Sequence, residues 1–183
     1  MAAATRRERS NGKAQMFEHL SGHRRIVVTG PQRSGTRIAA QMIAHDTGLQ
    51  FIDETEFLIK DEDLFHEMLD GRDGFVAQAP HMLKDLVDRP MPGVLVVLMR
   101  RDLDRIHASA ERIGWERVYG GNTTELRTFG LTEGDSAAVK YAYWDAHAKP
   151  EPHLEVEYES LRDHPLWLQA DVRRDFGPLQ TRP

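Results

Sequence analysis

Apolar residues along this chain fall into two patterns, short uninterrupted runs and longer stretches in which they recur every three or four residues. The runs predict buried strands, and the stretches between them predict helices. We place strands at residues 24–29, 51–52, 74–77 and 94–99, and a fifth at residues 154–158, where apolar and acidic residues alternate. Strands that alternate with helices build a mainly parallel sheet with helices on both faces. The predicted fold class is therefore α/β, with three layers in the order α/β/α.

The predicted helices separate these strands. They cover residues 38–44, 61–69, 80–87, 103–113 and 136–148. Two boundaries carry chemical signals, since Gly48 suits a helix end and either Asp135 or Ser136 suits a helix start. Residues 114–134 are rich in Gly and Thr and have no periodicity. We expect a loop or lid there, with one short helix near residues 115–119.

The chain divides into a polar N-terminal segment and one folded domain. Residues 1–22 are polar and aperiodic, which predicts a flexible tail. Residues 23–183 have the length of a single domain. The whole chain is 40% hydrophobic and 29% charged, which is typical of a folded soluble protein.

Composition and charge exclude several classes of function. No apolar run approaches the roughly 20 residues of a membrane-spanning helix, and no apolar stretch follows the basic N-terminus as it does in a secretory signal. The chain has no cysteine, which excludes disulfides, thiolate catalysis and Cys-ligated metals. With a net charge of −5, we expect no nucleic-acid partner. These features fit a cytoplasmic protein.

The segment from Gly30 to Arg37, with the sequence GPQRSGTR, carries the most chemical information. It joins the first predicted strand to the first predicted helix, so backbone N–H groups and the helix dipole point at an anion there. Two glycines separated by four residues match the spacing of the P-loop of nucleotide triphosphatases. That loop continues with Lys and Ser or Thr, which bind the β/γ-phosphates and magnesium. Here Thr36 and Arg37 follow, and a cation, Arg33, lies inside the loop.

A second anion-binding cluster is predicted after the strand at residues 94–99. Arg100 and Arg101 lie at the carboxyl end of that strand, where ligands bind in open α/β sheets. Ser109 lies about two turns into the following helix. A guanidinium fork and a hydroxyl together suit a phosphate. The alternative is a solvated helix start in which these cations pair with nearby aspartates.

These segments resemble, in order, motifs of the sulfotransferases that use 3′-phosphoadenosine-5′-phosphosulfate (PAPS). Residues 31–36 resemble the family's 5′-phosphosulfate loop, whose core is Lys/Arg-Ser-Gly-Thr. Residues 101–109 are similar to its 3′-phosphate motif, an Arg followed eight residues later by a Ser. Residues 156–161 look like the late Tyr-Glu-Asp-Leu segment. Residues 75–81 look like a Val-Leu-Lys-x-Pro-x-His segment, but Gln78 stands in place of the Lys.

The resemblance implies a P-loop-type enzyme that transfers a sulfuryl group from PAPS to a hydroxyl or an amine without a metal. Arg33 would be catalytic, because it would neutralise the bridging oxygen as it leaves. Arg101 and Ser109 would bind the 3′-phosphate. The 5′-phosphate would be held by the backbone N–H groups of Ser34, Gly35, Thr36 and Arg37. Sulfuryl transfer spreads charge over peripheral oxygens, so positioning and cations do most of the work.

A general base must lie near the transferred group, and the candidates are Glu54, Glu56 and His81. We favour Glu54, because it follows the second predicted strand, where P-loop folds place contacts to the acceptor. The alternative is that this acidic turn is a solvated cap. We expect a small-molecule or carbohydrate acceptor at residues 50–90 and 114–135, or at a site that a second subunit completes in a homodimer.

Two other functions compete with sulfuryl transfer. Residues 51–56 look like the Asp-Thr-Asp acceptor segment of shikimate-type kinases, which favours a small-molecule kinase. Against it, Thr36 stands where a kinase needs Lys on the β/γ-phosphates. Gln78 and the short chain favour a non-catalytic nucleotide-binding relative. Sulfuryl transfer makes one structural demand of its own, that the loop at Arg33 and the pair Arg101/Ser109 face a common cleft.

Overall fold

The computed structural model describes residues 16–57 and 62–170, with a parallel sheet of five strands at its centre. The strands are β1 (Arg25–Thr29), β2 (Gln50–Ile52), β3 (Phe75–Gln78), β4 (Leu95–Arg100) and β5 (His153–Glu157). They lie in the order β2-β3-β1-β4-β5, and every neighbouring pair is parallel. The α/β fold class is therefore confirmed, and each observed strand begins and ends within one residue of its predicted position.

Helices cover both faces of this sheet. They are α1 (Thr36–Thr47), α2 (Glu62–Leu69), α3 (Leu83–Asp88), α4 (Leu103–Arg112), α5 (Trp115–Tyr119), α6 (Gly121–Thr128), α7 (Ser136–Ala146) and α8 (Pro165–Ala170). Short 3₁₀ turns lie at Glu18–Leu20, Glu54–Phe57, Pro80–Met82 and Tyr158–Asp163. The helix predicted at residues 80–87 is therefore split between a 3₁₀ turn and α3. Within the described residues, no helix combines the length and the apolar character needed to cross a membrane.

Side chains alternate across the sheet and build two separate cores. On β1, Val27 faces the core formed with α2, α3 and α7, whereas Ile26 and Val28 face the core formed with α1. The first core contains the fully buried Trp144, and the second contains the fully buried Met42. This alternation gives the three predicted layers their physical basis, because each face of the sheet needs its own cover.

The predicted loop at residues 114–134 requires a correction, because it contains a second helix, α6, beside α5. The Glu116 carboxylate on α5 accepts a hydrogen bond from the Asn122 backbone N–H at 2.6 Å and another from the Thr123 hydroxyl at 2.6 Å. The two helices approach so closely that a Cβ on Gly121 would lie 2.0 Å from the Trp115 indole. A cap supplied by a preceding helix leaves no local pattern from which sequence analysis could find the start of α6.

The N-terminal boundary also differs from the prediction. Phe17 and Leu20 lie within the segment that we predicted as a flexible tail, and both are buried in the core against α1. This corrects the boundary at residue 22, since the folded part includes residues 16–22. Residues 1–15 lie outside the described part of the chain.

Asp46 on α1 connects this N-terminal segment to the segment after β5. Its carboxylate accepts a hydrogen bond from the Phe17 backbone N–H at 2.9 Å and contacts His164 Nε2 at 3.1 Å and His45 Nδ1 at 2.9 Å. The Leu166 backbone N–H donates to His164 Nδ1 at 3.1 Å. The Nδ1 atom of His164 therefore accepts a backbone hydrogen bond, while Nε2 faces the Asp46 carboxylate. Because Asp46 contacts both Phe17 and the buried His164, it tethers the N-terminal segment to the segment after β5, and we call this group the Asp46 tether.

We expect the Asp46 tether to make folding stability depend on acidic pH. Burial alone would raise the pKa of Asp46, but hydrogen bonds from His45, the Phe17 backbone and His164 outweigh it, so the pKa lies below its ordinary value. The stabilisation is therefore complete above the pKa of an unfolded aspartate and is lost as the pH falls through the lower folded pKa. Asp46→Asn should lower the free energy of unfolding at pH 7 by about 1–3 kcal/mol.

Urea denaturation between pH 3 and pH 7 measures this effect. The wild-type free energy of unfolding should fall more steeply towards low pH than that of D46N. Asp73→Asn is the control, because the ion pair of Asp73 with Arg24 is exposed. Parallel curves for wild type and D46N would show that Asp46 does not carry the pH dependence.

Candidate anion-binding site

The loop between β1 and α1 has the backbone geometry of an anion-binding site. Gly35 is the N-cap of α1, has a φ of 97° and makes no side-chain cap hydrogen bond. The first N–H groups of α1, including those of Thr36 and Arg37, therefore have no acceptor within the helix. A Cβ on Gly35 would lie 2.3 Å from the Tyr158 ring, so close packing as well as backbone conformation requires glycine. An anion is the partner that such N–H groups suit.

Ser34 contributes to this loop differently from the prediction. Its backbone N–H donates to the Pro31 carbonyl at 3.1 Å, so this one of the four predicted N–H groups is used to close the loop itself. Its hydroxyl is fully buried and has no hydrogen-bond partner in the structure. A buried hydroxyl without a partner is costly, and a ligand oxygen would satisfy it.

Arg33 is the loop cation, and it has an uncommon backbone conformation. Its φ is 70°, and among the described residues no other non-glycine residue has a positive φ. Its Nε donates a hydrogen bond to the Ser109 hydroxyl on α4 at 3.2 Å. Burial lowers the pKa of Arg33, and repulsion from Arg112 and Arg101 lowers it further. Cations are thus crowded together here, and an anionic ligand would relieve their repulsion.

Arg101 completes the convergence of the two predicted anion clusters. Its Nη1 donates to the Arg33 carbonyl at 2.7 Å. The centre of its guanidinium lies 4.0 Å from the centroid of the Tyr158 ring, which fixes the plane of the fork. Its Nε is buried without a hydrogen-bond partner. Arg33, Arg101 and Ser109 therefore lie together at one edge of the sheet, near the carboxyl ends of β1 and β4.

Three other arginines near Arg33 and Arg101 form ion pairs with carboxylates. Arg100 pairs with Glu155 at 2.8 Å and with Asp145. Arg105 pairs with Glu159 at 2.8 Å, and the Arg37 side chain pairs with Asp53 at 3.0 Å. Arg100 and Arg105 are therefore ion-paired, but not with Asp102 and Asp104, the nearby aspartates of the alternative, whereas Arg101 faces the loop. The backbone N–H of Arg37 remains available to a ligand at the start of α1.

Glu54 lies in the 3₁₀ turn that follows β2. Burial raises the pKa of Glu54, and repulsion from Asp53 and Glu125 raises it further, while Arg37 and Lys140 oppose the shift. A carboxyl group whose pKa moves towards neutrality suits proton transfer. The other candidate bases differ in setting, since Glu56 is exposed and His81 is half-buried in the 3₁₀ turn after β3.

Gln78, at the end of β3, lies against the start of α1. Its Nε2 approaches the Thr36 hydroxyl at 3.4 Å, and its Oε1 is buried without a hydrogen-bond partner. Both residues are buried, at 3% and 4% exposure. Gln78 stands where the resembled sulfotransferase segment has lysine and Thr36 stands where the P-loop motif has lysine, and here the amide and the hydroxyl contact each other.

Sequence analysis missed Lys140 on α7. Its side chain is almost completely buried, its Nζ donates to Gln32 Oε1 at 2.7 Å and to the Pro80 carbonyl at 2.9 Å, and it forms an ion pair with Glu125. The partner on the loop is 108 residues away along the chain. A lysine within an otherwise apolar helix segment gives no local signal that its charge is held inside the protein.

No protein-family model matches this chain, and no curated protein matches it. Among solved structures, a sugar kinase from Janibacter sp. HTCC2649 is 18% identical, with 88% of this chain and 99% of that chain covered and a TM-score of 0.44. Shikimate kinase from Acinetobacter baumannii, solved with shikimate, is 11% identical, with 88% and 99% covered and a TM-score of 0.44. An uncharacterised protein from Eubacterium ventriosum ATCC 27560 is 13% identical, with 82% and 99% covered and a TM-score of 0.41. Likeness at this level carries no activity from these proteins to this chain.

Proposed function

We propose that this protein transfers a sulfuryl group from PAPS to a hydroxyl or an amine of a small molecule or carbohydrate. The observation that carries the proposal is the contact between Arg33 and Ser109, whose Nε and hydroxyl lie 3.2 Å apart. It joins the cation of the phosphate loop to the helix hydroxyl of the second cluster. One ligand with two separate anionic groups can therefore be held at this edge of the sheet.

The residues at the site fit such a ligand. Ser34 Oγ and Arg101 Nε are buried without hydrogen-bond partners, and both can donate to anionic oxygens. The N–H groups at the start of α1 suit the 5′-phosphate, and Arg101 with Ser109 suits the 3′-phosphate. PAPS, when bound, supplies the sulfuryl group.

The side chains of this chain would provide the remaining chemistry. Arg33 stabilises negative charge that develops on the departing oxygen, and its half-buried position strengthens that effect. Glu54 accepts the proton of the acceptor group, for which its raised pKa makes it a stronger base than an exposed glutamate. Repulsion from Arg112 and Arg101 disfavours the charge of Arg33 in the free protein, and a bound anion would offset that repulsion.

A small-molecule kinase is the second candidate. The ion pair between Asp53 and Arg37 places the acidic turn after β2 directly beside the phosphate loop, as an acceptor segment requires. Against this candidate, Thr36 and Gln78 contact each other where the loop would need a lysine. A triphosphate would also lack the loop hydroxyl that normally helps to bind magnesium, because Arg37 occupies that position.

Nucleotide titration separates the two candidates. We expect adenosine 3′,5′-bisphosphate to bind at least about tenfold more tightly than ADP, because a 3′-phosphate gains charge-assisted hydrogen bonds from Arg101 and Ser109. Isothermal titration calorimetry with and without magnesium measures both affinities, and magnesium should leave the affinity for the bisphosphate unchanged. Equal affinities, or binding that requires magnesium, would favour the kinase.

A further inference from the structure

We propose that Lys140 is a positioning residue that, through Gln32, holds the phosphate loop in the conformation that binds an anion. Lys140 belongs to α7, and its charged group lies inside the protein with three partners, Gln32, Pro80 and Glu125. A buried lysine is retained only where its charge is paired and its donors are used. Here one of those partners is a side chain of the loop itself. The proposal rests on the proposed function in one respect, that this loop binds an anionic group.

Gln32 is fixed at both ends of its amide. Its Oε1 accepts a hydrogen bond from Lys140 Nζ at 2.7 Å, and its Nε2 donates to Glu125 Oε1 at 2.8 Å. Both of these partners are themselves buried, at 1% and 7% exposure. Glu125 on α6 and Lys140 on α7 thus both hydrogen-bond to the same side chain of the loop. We call this arrangement of Gln32, Glu125 and Lys140 the amide clamp.

The next residue explains why the loop needs such a clamp. Arg33 has a φ of 70°, a left-handed conformation that is unfavourable for a non-glycine residue. A conformation of this kind persists only where surrounding contacts hold it. The amide clamp holds the residue before Arg33, and Arg101 holds the carbonyl of Arg33 at 2.7 Å. Together they direct the Arg33 guanidinium towards Ser109.

The clamp acts by position and not by charge. Glu125 forms an ion pair with Lys140, so the two charges compensate each other behind the loop. The net field that the pair adds at the anion site is therefore small compared with that of Arg33 and Arg101. Losing the clamp should loosen the loop, even though all arginines of the site remain.

Gln32→Met tests the clamp, because it keeps the length of the side chain and the Lys140–Glu125 ion pair but removes both hydrogen bonds to the loop. Calorimetry with inorganic pyrophosphate and with adenosine 3′,5′-bisphosphate should show about tenfold weaker binding, under conditions where circular dichroism shows the variant fully folded. Amide hydrogen exchange over residues 30–36 should be faster, because the Ser34 N–H that closes the loop onto Pro31 is released more often. Gln50→Met, at an exposed position of β2, is the matched control and should change neither quantity.

The double substitution Lys140→Met/Glu125→Met shows whether Lys140 acts through Gln32. Added to Q32M, it should cause no further loss of anion affinity, since the clamp is already open. If Q32M binds pyrophosphate as tightly as wild type and its loop exchanges at the wild-type rate, the clamp proposal is wrong. If Q32M loses pyrophosphate binding but wild type does not prefer the 3′,5′-bisphosphate, the clamp stands and the proposed function fails. If wild type binds neither probe, loop exchange in the free protein decides for or against the clamp.

Discussion

Replacing Arg33 with alanine should lower the turnover number for sulfuryl transfer about a thousandfold, because removing one donor aimed at a developing negative charge typically costs a factor of 10²–10³. Affinity for adenosine 3′,5′-bisphosphate should change little. That ligand lacks the sulfuryl group on which Arg33 is proposed to act, and its two phosphates are assigned to the N–H groups at the start of α1 and to Arg101 with Ser109. Initial rates with PAPS and a panel of hydroxyl and amine acceptors, together with calorimetry, measure the two quantities separately.

Two variants sharpen the test of Arg33. Arg33→Lys keeps the positive charge but loses the Nε that contacts Ser109, so it should recover part of the lost turnover. Arg24→Ala removes an exposed arginine just before β1, at the opposite edge of the sheet, and should leave turnover unchanged. Wild-type turnover in R33A would contradict the catalytic assignment, even if the ligand still binds at this edge.

The fold was predictable because its signals are local. The central strands β1, β3 and β4 contain runs of apolar residues that the sheet buries, and β4, buried throughout except at its last residue, gave the clearest pattern. The helix α6 was not predictable, because its first turn is capped by Glu116 from the preceding helix. Residues 16–22 were misassigned for a related reason, since only two of their side chains, Phe17 and Leu20, are deeply buried in a segment that is otherwise polar.

For the candidate site as well, features formed by neighbouring residues could be predicted from the sequence, and contacts between distant residues could not. Residues 30–37 form one continuous segment, the loop and the first residues of α1, so its glycines and its cation could be recognised from spacing alone. The amide clamp could not, because Gln32 and Lys140 are 108 residues apart. Residue type alone does not distinguish Arg100 from Arg101, and the sequence assigned the 3′-phosphate to Arg101 only through the resemblance, by its spacing of eight residues from Ser109. In the structure, Arg100 turns to Asp145 and Glu155, and Arg101 turns to the loop.

The second prediction with a large expected effect follows from this difference between the adjacent arginines. We expect Arg101→Ala to weaken the affinity for adenosine 3′,5′-bisphosphate about a hundredfold. One hydrogen bond to a charged group contributes roughly 1.5–3 kcal/mol, and Arg101 additionally holds the Arg33 carbonyl at 2.7 Å. Its loss therefore removes a donor to the 3′-phosphate and frees the left-handed residue of the loop. Turnover at saturating PAPS should fall less than it does in R33A.

Arg100→Ala provides the matched control, because it removes the same side chain one position earlier. Arg100 is already neutralised by two carboxylates, so its loss should cost stability and leave ligand affinity within about threefold of wild type. Calorimetry with the 3′,5′-bisphosphate compares the two variants directly, and urea denaturation confirms that both are folded. If R100A and R101A lost affinity equally, the effect would arise from the general positive charge of this edge, and the assignment of Arg101 to the 3′-phosphate would have to be abandoned.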